Sequence, residues 1–448
     1  MKLLISVAVV ALLSLGLVAC GGDEAEERAP AATATPEKPT ATIAATDEGA
    51  SPALVPLATA TFVATATGQP AADEQVTAPT VTPEPTSGEE VVTATASPEA
   101  ATQRPSPEEG IQVASEEVVN NFPDEVVFRL SAESAAIIEH VTLRYRLLPD
   151  GILASYVPSD FSPAERVEVA FHLKANDPPR MYIAPGTEIE YSWEIEDAVG
   201  NKLNTDPSNF FCLDIRFPWE SVSEGNLTLY WYAGDRSSAE ASLTVDRDTL
   251  DEMSKLLGVT VDYPVKVWIY DSYQDMLPAL VRRSGGQAVA VAGERVASDT
   301  VLVLGGYGYD DILRHELTHI VTHVAGEGPY GGLPTWLDEG TAMYGQSEPG
   351  EGYTSALDRA VERDSLFSVR SMSAPPADPS KVALFYGQAW SLVSYLIETY
   401  GPGKFAELFA AFKGGGATVD EVLLKVYGFD QDELENEWRA SLGLAAPR

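Results

Sequence analysis

In the run Asp310-Asp311-Ile312-Leu313-Arg314-His315-Glu316-Leu317-Thr318-His319-Ile320-Val321, two histidines stand four residues apart, with a glutamate directly after the first. This spacing constrains the fold more than anything else in the chain, because an α-helix stacks positions i and i+4 on one side. Leu313, Leu317, Ile320, Val321 and Val324 supply an apolar face, so the helix should be packed rather than exposed. Asp310 and Asp311 suit its positive end. On such a helix both imidazoles can reach one Zn²⁺ at about 2.1 Å. Glu316, beside the first histidine, is placed to take a proton from a water that the metal makes acidic.

Two histidines leave a tetrahedral ion short of a protein ligand. After a glycine-rich turn over residues 326–332, Leu333-Pro334-Thr335-Trp336-Leu337-Asp338-Glu339-Gly340-Thr341-Ala342 reads as a second helix. Nineteen residues separate His319 from Glu339, enough for a helix-turn-helix to return a carboxylate to the metal. Asp338 would point about 100° away around that helix, which fits support of a ligand or a place on the solvated surface better than ligation. His323 continues the four-residue series, but three histidines on one straight helix cannot all close on a tetrahedral ion. Its place at the negative helix end accounts for it.

The pairing of HExxH with the later W-L-x-E-G-x-A resembles the gluzincin metallopeptidases, and most closely the peptidase MA-like domain of bacterial extracytoplasmic proteins. The resemblance runs from about Asn226 to Leu444. It includes Tyr386-Gly387-Gln388-Ala389-Trp390-Ser391-Leu392-Val393-Ser394-Tyr395-Leu396, then Tyr400-Gly401 and a closing helix over residues 433–438. It implies zinc as cofactor, a peptide or protein as substrate, Glu339 as third ligand and Tyr386 as donor to the oxyanion. The sequence departs from the aminopeptidase branch, which carries G-A-M-E-N before HExxH. Val301 to Leu304, followed by Gly305-Gly306, occupies that place, reads as a strand able to pair with an extended peptide, and leans the expectation toward an endopeptidase.

Ahead of this region the chain changes character three times. Met1-Lys2 and the apolar run from Leu3 to Leu17 are too short to span a bilayer and read as a signal peptide over residues 1–19. The ending Leu17-Val18-Ala19-Cys20-Gly21 resembles a bacterial lipobox, which implies lipidation of Cys20, attachment to a membrane and an extracytoplasmic location. Three acyl chains, at about 0.8 kcal/mol per buried CH₂, would hold firmly. Residues 20–110 are then rich in Ala, Thr, Pro and acidic side chains, with Phe62 the lone aromatic. Such a segment buries too little to offset chain entropy and is expected to be a disordered tether spanning roughly 50 Å.

From residue 111 to 218 the hydrophobic period becomes two. Residues 126–130, 141–146, 166–171 and 188–193 all alternate, and about seven short strands suggest an Ig-like β-sandwich acting as spacer or binding module. His140 and His172 have no partner at ligand spacing there, and Cys212 between Phe211 and Leu213 reads as a buried, unreactive thiol. Residues 219–448 form the α+β unit. Strands are expected at 227–232, 265–270, 287–291 and 300–304, helices at 239–257 and from Ser272, and a helical remainder with capping boxes at Thr418/Glu421 and Asp430/Glu433.

The multi-domain chain is thus expected to be a lipid-anchored zinc metallopeptidase. A net charge of −38 sets nucleic acid aside as a partner. Two other classes fit less well: a surface-binding lipoprotein without catalysis, which has no need of Glu316, and a zinc hydrolase of a non-peptide amide.

Overall fold

A computed structural model describes residues 110–149, 151–157, 161–177, 181–282, 291–306, 309–327 and 332–447. The expected signal peptide, Cys20 and the tether up to residue 109 lie outside the described residues, as do residues 287–290 of one expected strand.

The N-terminal part is built from β1 (Gln112–Asn121), β2 (Glu125–Leu147), β3 (Ala154–Tyr156), β4 (Ala164–Lys174), β7 (Thr187–Asp197), β8 (Lys202–Asn204) and β9 (Ser208–Cys212), with β5 (Asn176–Asp177) and β6 (Met181–Tyr182) as a small separate pair. The expected alternation is present. In β4, Val167, Val169, Phe171 and Leu173 turn inward, and in β7 Ile189, Tyr191, Trp193 and Ile195 do the same. The pairing differs from two separate facing sheets: the seven strands are hydrogen-bonded into one curled sheet. Two expected strands, 126–130 and 141–146, are halves of the 23-residue β2. Its first half pairs with β1 and β4, and its second half with β3 and β7. Register shifts between Glu133 and His140 mark where it bends. The bend brings the two halves face to face, so that Phe128 meets Tyr191 at 4.8 Å and Phe171 meets Trp193 at 5.1 Å between ring centroids. His140 is exposed, and His172 pairs with Glu125 at 3.1 Å on the surface.

A second sheet has the order β10 (Glu220–Glu224), β11 (Leu227–Trp231), β12 (Val265–Tyr270), β14 (Thr300–Leu304), β13 (Gly293–Ala297). Its three inner strands are parallel and its edges antiparallel. Contrary to expectation, the Val301–Leu304 strand has no free edge for a peptide. β14 is bonded to β12 on one side and β13 on the other, so an added peptide would have to meet the edge strand β13. The crossover from β11 to β12 is α1 (Arg236–Leu257), started by Asp235, whose side chain accepts the Ser238 N–H, and stopped by Gly258 at φ 67°. The expected helix after Ser272 is the single turn α2 (Tyr273–Met276).

Beyond β14 the chain is helical: α3 (Tyr309–Gly326), α4 (Thr335–Tyr344), α5 (Glu351–Glu362), α6 (Val382–Tyr400), α7 (Pro402–Lys413), α8 (Val419–Val426) and α9 (Gln431–Ser441). Both expected capping boxes, at Thr418/Glu421 and Asp430/Glu433, are formed.

The second sheet is buried on both faces. Leu227, Leu229, Val265, Val267, Val301 and Val303 join the core made with α1, α3, α4, α6 and α7. Trp268, Tyr270, Leu302 and Leu304 join the core of the curled sheet, with Phe128, Ile189, Trp193 and Cys212. Gly186, at φ 81°, lets the turn before β7 approach Trp268, since a Cβ there would stand 2.9 Å from the indole. Polar ties reinforce this junction: Tyr182 donates to the Ala279 carbonyl at 2.6 Å, Asn176 to that of Leu280 at 2.7 Å, and Tyr270 to Asp214 at 2.8 Å. The curled sheet is therefore a wall of the helical part rather than a detached module.

Candidate metal centre

α3 carries the two histidines into the interior. Leu313, Leu317, Ile320 and Val321 are fully buried around it, and His315, Glu316 and His319 are buried with them. α4 follows the connection at residues 327–334 and buries Trp336, Leu337, Asp338 and Glu339. Gly340 permits its close approach to α6, where a Cβ would lie 2.4 Å from the Ala389 carbonyl oxygen.

Three ligand atoms converge. The Nε2 atoms of His315 and His319 are 3.3 Å apart. Glu339 Oε2 lies 3.3 Å from the first and 3.6 Å from the second. A tetrahedral ion with bonds near 2.1 Å spaces its ligands about 3.4 Å apart, so this triangle has the size zinc requires. Both carboxylate oxygens of Glu339 are buried without a hydrogen-bond partner, a costly arrangement that a cation at the centre of the triangle would relieve. The donor set of two imidazoles and one carboxylate suits zinc. Among the described residues this is the one group of three or more such side chains close enough to hold a metal ion.

Residues around the triangle fix its orientation. Of the two places expected for Asp338, behind a ligand or on the surface, it takes the first: buried, it faces His319 Nδ1 at 3.0 Å and accepts the Thr322 hydroxyl at 2.6 Å. Burial works against its charge, but the His319 imidazole holds its carboxyl well below the usual range. On His319, burial is outweighed by Asp338 and Glu339, which raise its pKa. His323 lies away from the triangle and meets Glu327 at 2.5 Å in the last turn of α3.

Glu316 is held from the edge strand: its Oε2 accepts the backbone N–H of Arg295 in β13 at 2.9 Å. Gly293 makes room for this contact, since a Cβ there would lie 2.8 Å from Glu316 Cγ. Burial raises the Glu316 pKa, offset in part by the two histidines. Tyr386, on α6, is buried with its ring centroid 6.1 Å from that of His315. Its hydroxyl has no hydrogen-bond partner, and burial together with Glu339 keeps it protonated by raising its pKa.

Three contributors escaped sequence reasoning. The Arg295 N–H is a backbone group and leaves no trace in residue type. Gln346, just past α4, lies 3.2 Å from His315 Nδ1 with no motif to announce it. Tyr353 on α5 stacks obliquely on Tyr386 at 5.6 Å, and burial and Glu339 raise its pKa. A tyrosine two residues past the start of a helix carries no signal of its own.

The family model of the peptidase MA superfamily matches residues 245–443. Among solved structures, an M1 zinc metallopeptidase from Deinococcus radiodurans is similar at 14% identity, over 76% of this chain and 97% of that one, with a TM-score of 0.38. An aminopeptidase N family protein from Idiomarina loihiensis is similar at 10% identity, over 71% of this chain and 69% of that one, with a TM-score of 0.28. No curated protein matches the sequence. Residues 245–443, which contain the HExxH helix and Glu339, are thus peptidase MA-like, and their His-His-Glu cluster is of a kind that could hold a metal ion.

Proposed function

We propose that this chain hydrolyses internal peptide bonds of extracytoplasmic substrates, with zinc held by His315, His319 and Glu339 and with Glu316 as the base. The observation that carries the reading is the convergence of the three ligand atoms at 3.3, 3.3 and 3.6 Å on the helix face next to Glu316. Zinc, when bound, supplies acidification of water and polarisation of the scissile carbonyl. Glu316 takes the proton from that water and passes it to the leaving amine. With Oε2 engaged by the Arg295 N–H, Oε1 is the oxygen left for the task. Burial, by raising its pKa, makes this carboxylate a stronger proton acceptor than an exposed one. The protonated Tyr386 hydroxyl is the donor for the oxygen that becomes negative.

Glu316→Gln removes the base and no ligand. It should retain zinc and lose about 10²–10⁴-fold in kcat. Near-normal turnover of a quenched peptide by this variant would remove Glu316 from the mechanism and reopen the non-catalytic reading. Turnover confined to small non-peptide amides would favour the other alternative.

The lipid anchor on Cys20 belongs to this proposal as well, supported by Leu17-Val18-Ala19-Cys20 after an apolar run. Cys20→Ser should abolish lipid labelling and move the protein out of a detergent phase, and an unchanged labelled band would remove the anchor.

A further inference from the structure

The two candidate zinc histidines are supported by different chemistry. His319 faces the Asp338 carboxylate, itself fixed by Thr322. His315 faces a neutral amide: Gln346 Nε2 lies 3.2 Å from its Nδ1. The loop that carries Gln346 is seated on α3 with care. Gly345 touches the helix so closely that a Cβ would stand 2.2 Å from Thr318 Oγ1. Ser347 follows, giving Asp311 Oδ1 two hydrogen bonds, from its N–H at 3.0 Å and its hydroxyl at 2.6 Å. Asp311, His315 and Thr318 lie on one stripe of α3, so three successive loop residues dock along it.

The geometry points to Gln346 as the positioning residue for His315, orienting its ring and selecting its tautomer for metal. This assignment rests on the reading of His315, His319 and Glu339 as zinc ligands. Ligation through Nε2 leaves the imidazole proton on Nδ1, which then needs an acceptor. The Gln346 amide can provide one by presenting Oε1 in place of Nε2, a half-turn about its last torsion that keeps the loop where it is. In the metal-free ring the same amide donates to Nδ1. One side chain therefore satisfies His315 in both states without adding charge, while Asp338 places a full negative charge behind His319.

The test uses the full chain and zinc itself. Zinc dissociation constants are measured by competition with a chromogenic chelator for the wild type, Gln346→Ala and Gln346→Glu. Thermal melting of each metal-free form is measured alongside, and the cobalt(II)-substituted forms give visible spectra. Gln346→Ala should weaken zinc about 10–100-fold and alter the cobalt bands, while the metal-free melting temperature stays at the wild-type value. Gln346→Glu, which keeps an acceptor oxygen at the same reach, should restore affinity to the wild-type level or beyond. Wild-type affinity in Gln346→Ala, a loss matched by lower metal-free stability, or a loss that Gln346→Glu fails to restore would each overturn the assignment. A wild-type chain that takes up no zinc at all would sink the proposed function, and this inference with it.

Discussion

The two faces of the five-stranded sheet are made from the same strands by simple alternation, yet they are finished differently. Toward the helices the sheet presents Val265, Val267, Val301 and Val303, branched aliphatics that pack against α1 and α3. Toward the curled sheet it presents Trp268, Tyr270, Leu302 and Leu304, and these meet an aromatic cluster in which Tyr230 stacks on Trp268 at 4.1 Å and Trp219 meets it edge-on at 4.8 Å. The first face supports a helix that must hold three side chains to within tenths of an ångström. The second joins two folding units through large, rigid rings tied by hydrogen bonds. Chemistry sits on one side of the sheet and cohesion on the other, and neither side is dispensable, because a parallel sheet needs both faces covered.

The most drastic way to break this comparison is to delete the curled sheet. A chain beginning at Trp219 would expose Trp268, Tyr270, Leu302 and Leu304 together, and it should fail to give soluble, folded protein. A monomeric 219–448 fragment with native circular dichroism and normal zinc uptake would show the second face to be mere decoration. The next largest effect lies within the catalytic side. Glu339→Gln should lose zinc or bind it far more weakly, whereas Asp338→Asn, one atom layer back, should cost no more than about 10–100-fold. Metal content after dialysis, measured side by side, decides between them, and the reverse order would exchange the two roles. The finest test compares one residue from each face. Trp268→Ala should destabilise the chain by about 3–5 kcal/mol and Leu317→Ala by about 2–5 kcal/mol. Zinc affinity of the folded protein should fall only for Leu317→Ala, which loosens the helix between the two histidines. Equal affinity losses would mean that the faces are coupled more tightly than their separate cores suggest.

What could be read in advance follows the range of the interaction involved. The HExxH helix, the capping boxes and the strand alternation depend on residues two to four positions apart, and all are formed as expected. Glu339 was within reach because the family resemblance bridges the gap from His319. Pairing was harder. Period two tells which face a residue takes but not which strand lies beside it, so the bend that makes one strand of residues 125–147 went unseen, and one curled sheet was expected as two. The union of the two parts did leave a trace. Val265-Lys266-Val267-Trp268-Ile269-Tyr270 and Thr300-Val301-Leu302-Val303-Leu304 are continuous apolar runs, the pattern of strands covered on both sides. Lys266 obscured it, although it is buried in an ion pair with Asp299.

Gly340 has a consequence that reaches past packing. It follows Glu339 on α4 and rests on the carbonyl of Ala389, three residues beyond Tyr386 on α6. The thickness of one missing methyl group therefore sets the gap between the Glu339 carboxylate and the Tyr386 phenol. A side chain at this position would touch none of the reacting atoms, yet it would act as a wedge, prising apart two parts of a tool whose jaws are cut to a single width.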